Sequence, residues 1–528
     1  MISERPTPQR RVYVALLACY ILLVAAYVNG RFAWRGLYDD AIRLTQLSEN
    51  VYAEGTLLPT GGAYSFGYAY PALNTVLAHV TGIPVEALQH FAQPFLAIVL
   101  LPLSYVAFRG LTGSDAIAGL GTLLLFLQPE FLFEALRSSH AKVTWAMALL
   151  MLFLLTRGFC SQGRRHRAIV AVPLFYLVAF ALIASSSFFA STYIFGIGLV
   201  FVGARLLGRL RRTNAPVVAQ LSRLWLVAVA CMVLVFVFIF YIYPPARAQL
   251  SSLKRELDRL SVLLLGAEPT EPLVNPYVHV SGTWINGQAY LLVSCANWLV
   301  LLLSFGRWIY LGRQQWLRRW TLGPGELLLW LLYAAFSFML ATAVLFDVLG
   351  LLSANLQVRL FAHLVIFAVP LAAQTLAAFV KTSCGWPPAA HRALWGMLSL
   401  ACALLVVGSL LKITNEPLLS NGWTFYVPEE RAAVEWVGAH VRTNGVWLGY
   451  DRRLSSLAEW CGGWQKQHVR TVRGKVPTTA RYALLSSLLE GQALRRGEVL
   501  PNVHSQHRVY HNGEAGLFYS RPVTPFQR

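Results

Sequence analysis

Long apolar runs alternate with short polar loops through the first four-fifths of this chain. Eleven of the runs are close to the roughly 20 residues that a helix needs to cross the hydrocarbon core of a bilayer. They lie at about 12–28, 86–108, 115–131, 141–157, 168–186, 188–205, 222–243, 284–305, 325–346, 359–380 and 393–411. The pattern therefore predicts an all-α polytopic membrane protein with about eleven transmembrane helices.

The charges of the loops predict how these spans are oriented. Loops on one side are rich in arginine, as in Arg164-Arg165-His166-Arg167 and Arg211-Arg212, whereas the membrane-domain loops on the other side balance bases with acids. Because cytoplasmic loops are enriched in Lys and Arg, the N-terminus is predicted to be cytoplasmic. An odd number of spans then places the C-terminus outside the plasma membrane. Residues 1–11 precede the first span without a small-residue cleavage motif, which is typical of an uncleaved signal anchor.

Composition agrees with a membrane location and removes a competing explanation of the charge. Of 528 residues, 56% are hydrophobic and only 13% are charged, too few to cover a soluble protein of this size. The net charge of +20 would suggest nucleic-acid binding in a soluble protein, but here the basic residues lie between spans, so topology accounts for them. The seven cysteines are dispersed singly, so neither a disulfide framework nor a cysteine metal site is predicted.

The pattern changes after residue 411, which divides the chain into a membrane domain, 1–411, and an extracytoplasmic α/β domain, 412–528. The second domain is predicted to have a helix from Pro428, short strands at 446–450 and 482–485, and a hairpin turning at His511-Asn512-Gly513. The membrane domain has a long first external loop, about 29–84. Leucines spaced three and four apart predict an external amphipathic helix at about 245–266.

Ionisable and amide side chains gather at the ends of spans on the predicted outer face. Asp39 and Asp40 follow the first span, in a chain that has few acids. The others lie between the third and fourth spans and at the start of the tenth: Glu130, Glu134, Arg137, His140, Lys142, Gln357 and Arg359. A carboxylate in such a set can take a proton from an acceptor hydroxyl, and cations can hold a phosphate whose charge grows as its bond to a sugar breaks.

The same residues have a purely structural interpretation. Asp39 and Asp40 suit the N-cap and first turn of a helix. Glu134 and Arg137 have the i,i+3 spacing of a helical ion pair. Arg359 suits a side chain that extends to the lipid headgroups. The residue types and spacings alone leave both interpretations open.

Three features of the chain resemble the GT-C superfamily of polyprenyl-phosphate-dependent glycosyltransferases, which includes protein O-mannosyltransferases, aminoarabinose transferases and the catalytic subunit of oligosaccharyltransferase. They are the acid pair Tyr38-Asp39-Asp40 in the first external loop, the end of that loop, Tyr68-Ala69-Tyr70-Pro71-Ala72-Leu73 with Thr81-Gly82-Ile83-Pro84, and Arg359 opening a late span before an external α/β domain. The Trp-Trp-Asp motif of oligosaccharyltransferases is absent from the sequence, which argues against that activity.

The resemblance implies an inverting transfer of a hexosyl or pentosyl unit from a polyprenyl-phosphate carrier to a glycan, lipid or protein acceptor. It implies Asp39 or Asp40 as the base, with Asp39 preferred. The residues that it implies for binding the lipid phosphate and the sugar are Arg359, Arg137, His140, Lys142, Gln357 and Tyr70. Glu130 and Glu134 stand where some members keep a second metal-binding acid, so Mg²⁺ or Mn²⁺ is a candidate cofactor, although no Asp-x-Asp occurs there. No nucleic-acid partner is expected.

Two other functions remain as alternatives. A transporter or lipid flippase would place ionisable residues near the middle of the membrane, whereas the spans here have almost no charge at their centres. A non-catalytic scaffold with the same layout is the other alternative. The enzyme hypothesis predicts that Asp39, Glu130 and Arg359 converge on one external cavity.

Overall fold

Each of the eleven predicted spans overlaps a helix of the computed structural model. The structure describes residues 8–31, 39–60, 62–137, 139–158, 165–210, 221, 224–251, 254, 258, 287–318, 322–348, 355–413, 426–441, 446–447, 452–463, 481–487, 489–490 and 507–519. Its helices before residue 414 are α1 Pro8–Arg31, α2 Asp39–Glu54, α3 Ala69–Thr81, α4 Val85–Thr112, α5 Asp115–Phe126, α6 Pro129–Leu136, α7 Ala141–Gly158, α8 Arg165–Ser185, α9 Ser187–Arg209, α10 Leu224–Ile242, α11 Gly287–Arg318, α12 Pro324–Val348, α13 Asn355–Ser383 and α14 Pro388–Ile413.

Length and composition make the chain an integral membrane protein. Within the described residues, seven helices are long and apolar enough to span a membrane, and the pair α5 and α6, bent by 72°, would be an eighth. The bend lies at Pro129, which has no N–H to continue the ladder of helical hydrogen bonds. Two shorter apolar helices, Ala15–Gly30 and Val170–Ser185, overlap the first and fifth predicted spans.

One helix forms the centre of the bundle. In α13, 67% of the most apolar window is buried inside the protein, against 17% in α14. Helix α13 packs against α5, α11 and α12. The start of α13 is therefore held by neighbours on several sides, which matters because the predicted Arg359 lies in its first turn.

A buried network of amides and hydroxyls orders the first external loop. The Tyr70 hydroxyl donates to Oε1 of Gln89 at 2.9 Å, and the Asn74 amide donates to the same oxygen at 2.9 Å. The Gln93 amide donates to Oδ1 of Asn74 at 2.7 Å, and Asn74 also reaches Ser48 at 3.4 Å. Because buried polar groups that satisfy one another fix a unique geometry, this network fastens α2 and α3 to the beginning of α4.

The C-terminal part is a small α/β unit. Its elements are α15 Pro428–His440, β1 Val446–Trp447, α16 Arg452–Trp460, β2 Tyr482–Ser486, β3 His507–His511 and β4 Ala515–Tyr519. The strands form one sheet in the order β1-β2-β4-β3, in which β1 and β2 are parallel and the other pairs antiparallel. The predicted helix, strands and hairpin are confirmed. The domain boundary at residue 412 stays a prediction, and most of the predicted helix at 245–266 lies outside the described residues.

The C-terminal unit packs directly on α2. Ile42 of α2 is fully buried in the same apolar cluster as Val434, Leu457 and Leu484 of the C-terminal unit. Around this contact, Trp460 Nε1 donates to a carboxylate oxygen of Glu49 at 2.6 Å. A second bridge joins Arg431 to Glu86, with 2.8 Å between Nη1 and Oε1. The helix that begins at Asp39 is thus held by both parts of the chain.

Glu49 makes this contact sensitive to pH. Burial raises the pKa of Glu49 above its ordinary value of 4.5, although the hydrogen bond from Trp460 acts in the opposite direction. A carboxyl whose pKa is raised by folding stabilises the folded state fully below its unfolded pKa, and this stabilisation is lost as the pH rises through the folded pKa. We therefore expect Glu49→Gln to gain thermal stability relative to the wild type as the pH is raised from about 4.5 to 7.

The measurement is the difference in Tm between the two proteins, purified in detergent, at steps across that range. The exposed Glu514→Gln variant, on the hairpin turn, is the control and should follow the wild type. A difference between Glu49→Gln and wild type that does not change with pH would contradict the expected role of Glu49.

Candidate functional site

A cavity of about 120 Å³ lies where the N-terminal ends of α7, α9 and α13 meet α2 and the end of α6. Its apolar wall includes Trp145, Phe188, Phe189 and Leu360. Its polar and charged lining residues are Arg43, Tyr64, Glu134, Arg137, His140, Thr144, Ser186, Thr192 and His363. The combination of an aromatic wall with a few converging polar groups is typical of a binding site for a small molecule.

An ion pair forms one side of the cavity. Arg137 Nε lies 3.2 Å from Oε2 of Glu134, and both side chains are largely shielded from solvent. This is the pair that the i,i+3 spacing predicts. Helix α6 ends at Leu136, and Arg137 follows in an extended conformation, where its Nε also donates to Oγ of Ser139 at 3.2 Å. Partial burial strengthens the attraction between the two charges relative to water.

His140 lies beside two tyrosines of the first external loop. The Tyr64 hydroxyl is 3.2 Å from Nδ1 of His140, and the two ring centroids are 5.5 Å apart. The Tyr70 ring centroid is 6.4 Å from that of His140, but the Tyr70 hydroxyl points to Gln89. Burial raises the pKa of Tyr70, so its hydroxyl stays protonated. Tyr64, rather than the predicted Tyr70, therefore presents its hydroxyl at the cavity.

Lys142 occupies a different position from the other predicted cations. Its side chain is buried, and Nζ donates to the carbonyl oxygen of Arg137 at 2.8 Å and approaches that of Ser139 at 3.5 Å. Lys142 does not line the cavity. Its contacts instead close the turn between α6 and α7, which carries Arg137 and His140.

The two glutamates of α6 are one turn apart but differ in their surroundings. Glu134 lines the cavity, whereas Glu130 does not. The described side chains contain no group of three His, Cys, Asp or Glu residues that could hold a metal ion. Because the Glu134 carboxylate pairs with Arg137, a cation beside it would be repelled, so the described residues do not fit a metal site.

The remaining predicted residues lie in the first turns of two helices that border the cavity. Asp39 and Asp40 begin α2, which lines the cavity with Arg43 and Leu44. Gln357 and Arg359 lie in the first turn of α13, which lines it with Leu360, Ala362 and His363. The backbones at these four positions are helical, and their side chains lie outside the described part of the structure. The predicted convergence of Asp39, Glu130 and Arg359 therefore stays a prediction.

A buried histidine among aromatic rings was not predicted from the sequence. The His363 ring centroid is 4.1 Å from that of Phe189, 4.9 Å from Trp145 and 5.8 Å from Phe336, with which it stacks. His363 lines the inner end of the cavity. A signal for it was present, since an ionisable residue inside a predicted span is rare and usually functional.

Long-range hydrogen bonds hold the loop that carries Tyr64. The backbone N–H of Ser187 donates to the carbonyl oxygen of Phe66 at 2.8 Å. The Gln249 amide donates to the carbonyl oxygen of Ser65 and to Oγ of Ser187, both at 2.8 Å. The run Ser185-Ser186-Ser187, interpreted from sequence as the end of a span, thus also anchors the first external loop at the cavity.

Comparison with known proteins places this architecture. Neither a protein-family model nor a curated protein matches the chain. A solved structure of the Archaeoglobus fulgidus oligosaccharyltransferase matches 91% of this chain and 71% of its own, with a TM-score of 0.53 and 12% identity. ArnT from Cupriavidus metallidurans in the apo state matches 96% of this chain and 98% of its own, with a TM-score of 0.50 and 14% identity. The chain has the GT-C fold.

The GT-C fold confirms the architecture that the resemblance implied. The match to ArnT extends over nearly the full length of both chains, so it includes the external α/β unit as well as the helical bundle. One neighbour, ArnT, has also been solved bound to undecaprenyl phosphate, at a TM-score of 0.50. Another structure of the Archaeoglobus protein is a complex with Zn and sulfate.

Proposed function

We propose that this GT-C protein is an integral membrane glycosyltransferase that moves a hexosyl or pentosyl unit from a polyprenyl-phosphate carrier to an extracytoplasmic acceptor. The observation that carries the proposal is one cavity, in this fold, that combines the Arg137–Glu134 pair and His140 with the first turns of α2 and α13. The neighbours bound to undecaprenyl phosphate, and to a dolichol-phosphate with an inhibitory peptide, support a lipid-linked donor.

The geometry of α2 supports Asp39 or Asp40 as the base. Arg43 and Leu44 line the cavity, and each follows one of these aspartates by four residues. Residues four apart on a helix lie on the same face, so the aspartate positions are on the side of α2 that borders the cavity. The same spacing relates Arg359 to His363 on α13.

These residues have complementary roles in an inverting displacement. The aspartate takes the proton of an acceptor hydroxyl as its oxygen forms a bond to the anomeric carbon of the sugar. The bond between that carbon and the phosphate oxygen breaks on the opposite face, and the lipid phosphate leaves with the electron pair. Arg137 and Arg359 stabilise the negative charge that grows on the phosphate. Glu134 positions the Arg137 guanidinium for this task.

The remaining binding candidates take supporting roles in this scheme. His140 and Tyr64 form a hydrogen-bonded pair at the cavity wall, suited to hydroxyl groups of a sugar. Lys142 positions the turn that carries Arg137. Gln357 lies one turn before Phe361 on the helix that borders the cavity. Because the described glutamates do not fit a metal site, no step of the scheme passes through a metal ion.

The charge of the loops supports the orientation of the site. The arginine-rich loops lie at the C-terminal ends of α7 and α9, whereas the cavity lies at their N-terminal ends. Under the positive-inside rule the cavity faces the outside, with the N-terminus in the cytoplasm. A glycan, lipid or peptide acceptor would then reach the cavity from the side of the C-terminal unit.

The function is tested by incubating the purified protein with a panel of polyprenyl-phosphate sugars and measuring the released lipid phosphate. Release with one donor, dependent on an acceptor, would support the proposal. Movement of a donor across a liposome membrane without release would indicate a transporter or flippase instead.

Arg137→Gln should lower the rate of lipid-phosphate release by about 10²- to 10³-fold, the effect of removing one donor that stabilises a developing anion. Arg137→Lys should recover part of the rate, because a lysine keeps the charge but not the forked geometry of a guanidinium. Steady-state rates with the identified donor provide the measurement.

The matched control is Arg109→Gln. Arg109 also forms an ion pair, with Asp115 at 2.8 Å, but this pair is exposed and lies away from the cavity. Equal rates for the Arg137 and Arg109 variants would remove Arg137 from the proposed site.

A further inference from the structure

A second, larger recess lies at the other end of the bundle. It has a volume of about 500 Å³ and is bordered by α9, α11 and α12 near Leu207, Gly312 and Trp330. The first cavity contacts α9 at Phe188, 19 residues earlier. At 1.5 Å per residue these points are about 29 Å apart, which is the thickness of the hydrocarbon core. The two recesses therefore lie in opposite leaflets.

The wall of this groove is built from tryptophans that fix one another. Trp308 and Trp330 stack with ring centroids 5.4 Å apart and an angle of 12° between the rings. Each indole N–H donates to the backbone carbonyl oxygen of the other residue, at 3.2 Å and 2.9 Å. Gly312 allows the close approach, because a Cβ there would lie 3.3 Å from Cζ2 of Trp330. The groove is thus preformed and rigid.

The mouth of the groove is cationic and amphipathic. Arg313 and Trp316, both exposed, border it from α11. Arg205 and Arg209, also exposed, lie on either side of Leu207 on α9. Tryptophan is the residue that settles at the level of lipid headgroups, and basic recesses between membrane helices attract anionic headgroups. The charge around this groove is therefore complementary to an anionic lipid.

We propose that this groove binds an anionic phospholipid of the leaflet opposite the first cavity. Arg313 contacts the lipid phosphate, and Trp316 and Trp330 pack against the glycerol backbone and the first carbons of an acyl chain. The proposal does not depend on the glycosyltransferase assignment, because it concerns a different recess and no reaction.

Native mass spectrometry of the intact protein in detergent tests the proposal. Dioleoylphosphatidylglycerol and dioleoylphosphatidylcholine, which share their acyl chains and differ in charge, are titrated separately. The wild type should form its first phosphatidylglycerol adduct at a roughly tenfold lower concentration than its first phosphatidylcholine adduct, the effect of one charge-assisted contact. Arg313→Gln should remove that preference, and Trp316→Ala should weaken the binding of both lipids.

Arg392→Gln is the matched control, since Arg392 is an exposed arginine at the same end of the bundle, on α14, outside the groove. Its titrations should equal those of the wild type. The proposal is overturned if the Arg313 and Trp316 variants bind phosphatidylglycerol as the wild type does, or if the wild type shows no preference. It is also overturned if undecaprenyl phosphate displaces phosphatidylglycerol from the wild type, because the groove would then belong to a carrier lipid.

Discussion

Asp39→Asn is expected to abolish the release of lipid phosphate while the protein still folds and inserts. An amide cannot accept the proton of an acceptor hydroxyl, and loss of a general base lowers rates by about 10²- to 10⁴-fold. The substitution also separates the two interpretations of this residue. Asparagine caps a helix about as well as aspartate, so a residue that only caps α2 would tolerate the change.

The neighbouring residue provides the comparison. Asp40→Asn removes the same charge one position later in the same helical turn. If Asp39 is the base, the Asp40 variant should keep a substantial part of the activity, and the reverse result would move the base to Asp40. Single-turnover rates measured at saturating donor, together with Tm values in detergent, separate a catalytic effect from a loss of folding. Full activity in both variants would refute the assignment of the base to this pair.

The parts of the fold that depend on local periodicity were accessible from the sequence. Apolar runs long enough to cross a bilayer located every helix of the bundle, because hydrophobicity over some 20 residues is decided locally. The hairpin between β3 and β4 was found for a similar reason. Its turn residues Asn512 and Gly513 have side-chain and backbone properties that suit a reversal of the chain, and Gly513 has a φ of 98°.

The contacts that build the candidate site were beyond this kind of inference. Tyr64 meets His140, 76 residues later, and Gln249 meets Ser65, 184 residues earlier. Ile42 illustrates the reason, since it resembles any apolar residue on an amphipathic helix but is buried in the core of the C-terminal unit. Periodicity shows that a face is apolar and does not show what covers it. The ends of spans on one side could be predicted to meet, but not which side chains would touch.

Gly67 is the residue for which a minimal substitution should affect the fold most. Gly67 lies in the first external loop, where it packs against the junction of α8 and α9. A Cβ at this position would lie 2.7 Å from the carbonyl carbon of Ala184, closer than real Cβ atoms approach backbone. The Gly67→Ala variant must therefore move the loop or the junction, and both are held by the hydrogen bond from Ser187 to Phe66. We expect a loss of about 3 kcal/mol or more, at the upper end of overpacking effects.

Gly198→Ala is the matched control, because Gly198 lies in the interior of α9 and a Cβ there would have no atom within 4 Å. Alanine favours a helix over glycine by about 0.5–1 kcal/mol, so this variant should be as stable as the wild type or more so. Thermal unfolding of the two variants in detergent measures the contrast. Since Tyr64 and Phe66 line the cavity on the displaced loop, Gly67→Ala should also lose lipid-phosphate release at temperatures where it remains folded. Equal stability and activity of the two variants would show that the loop does not depend on its close approach to Ala184.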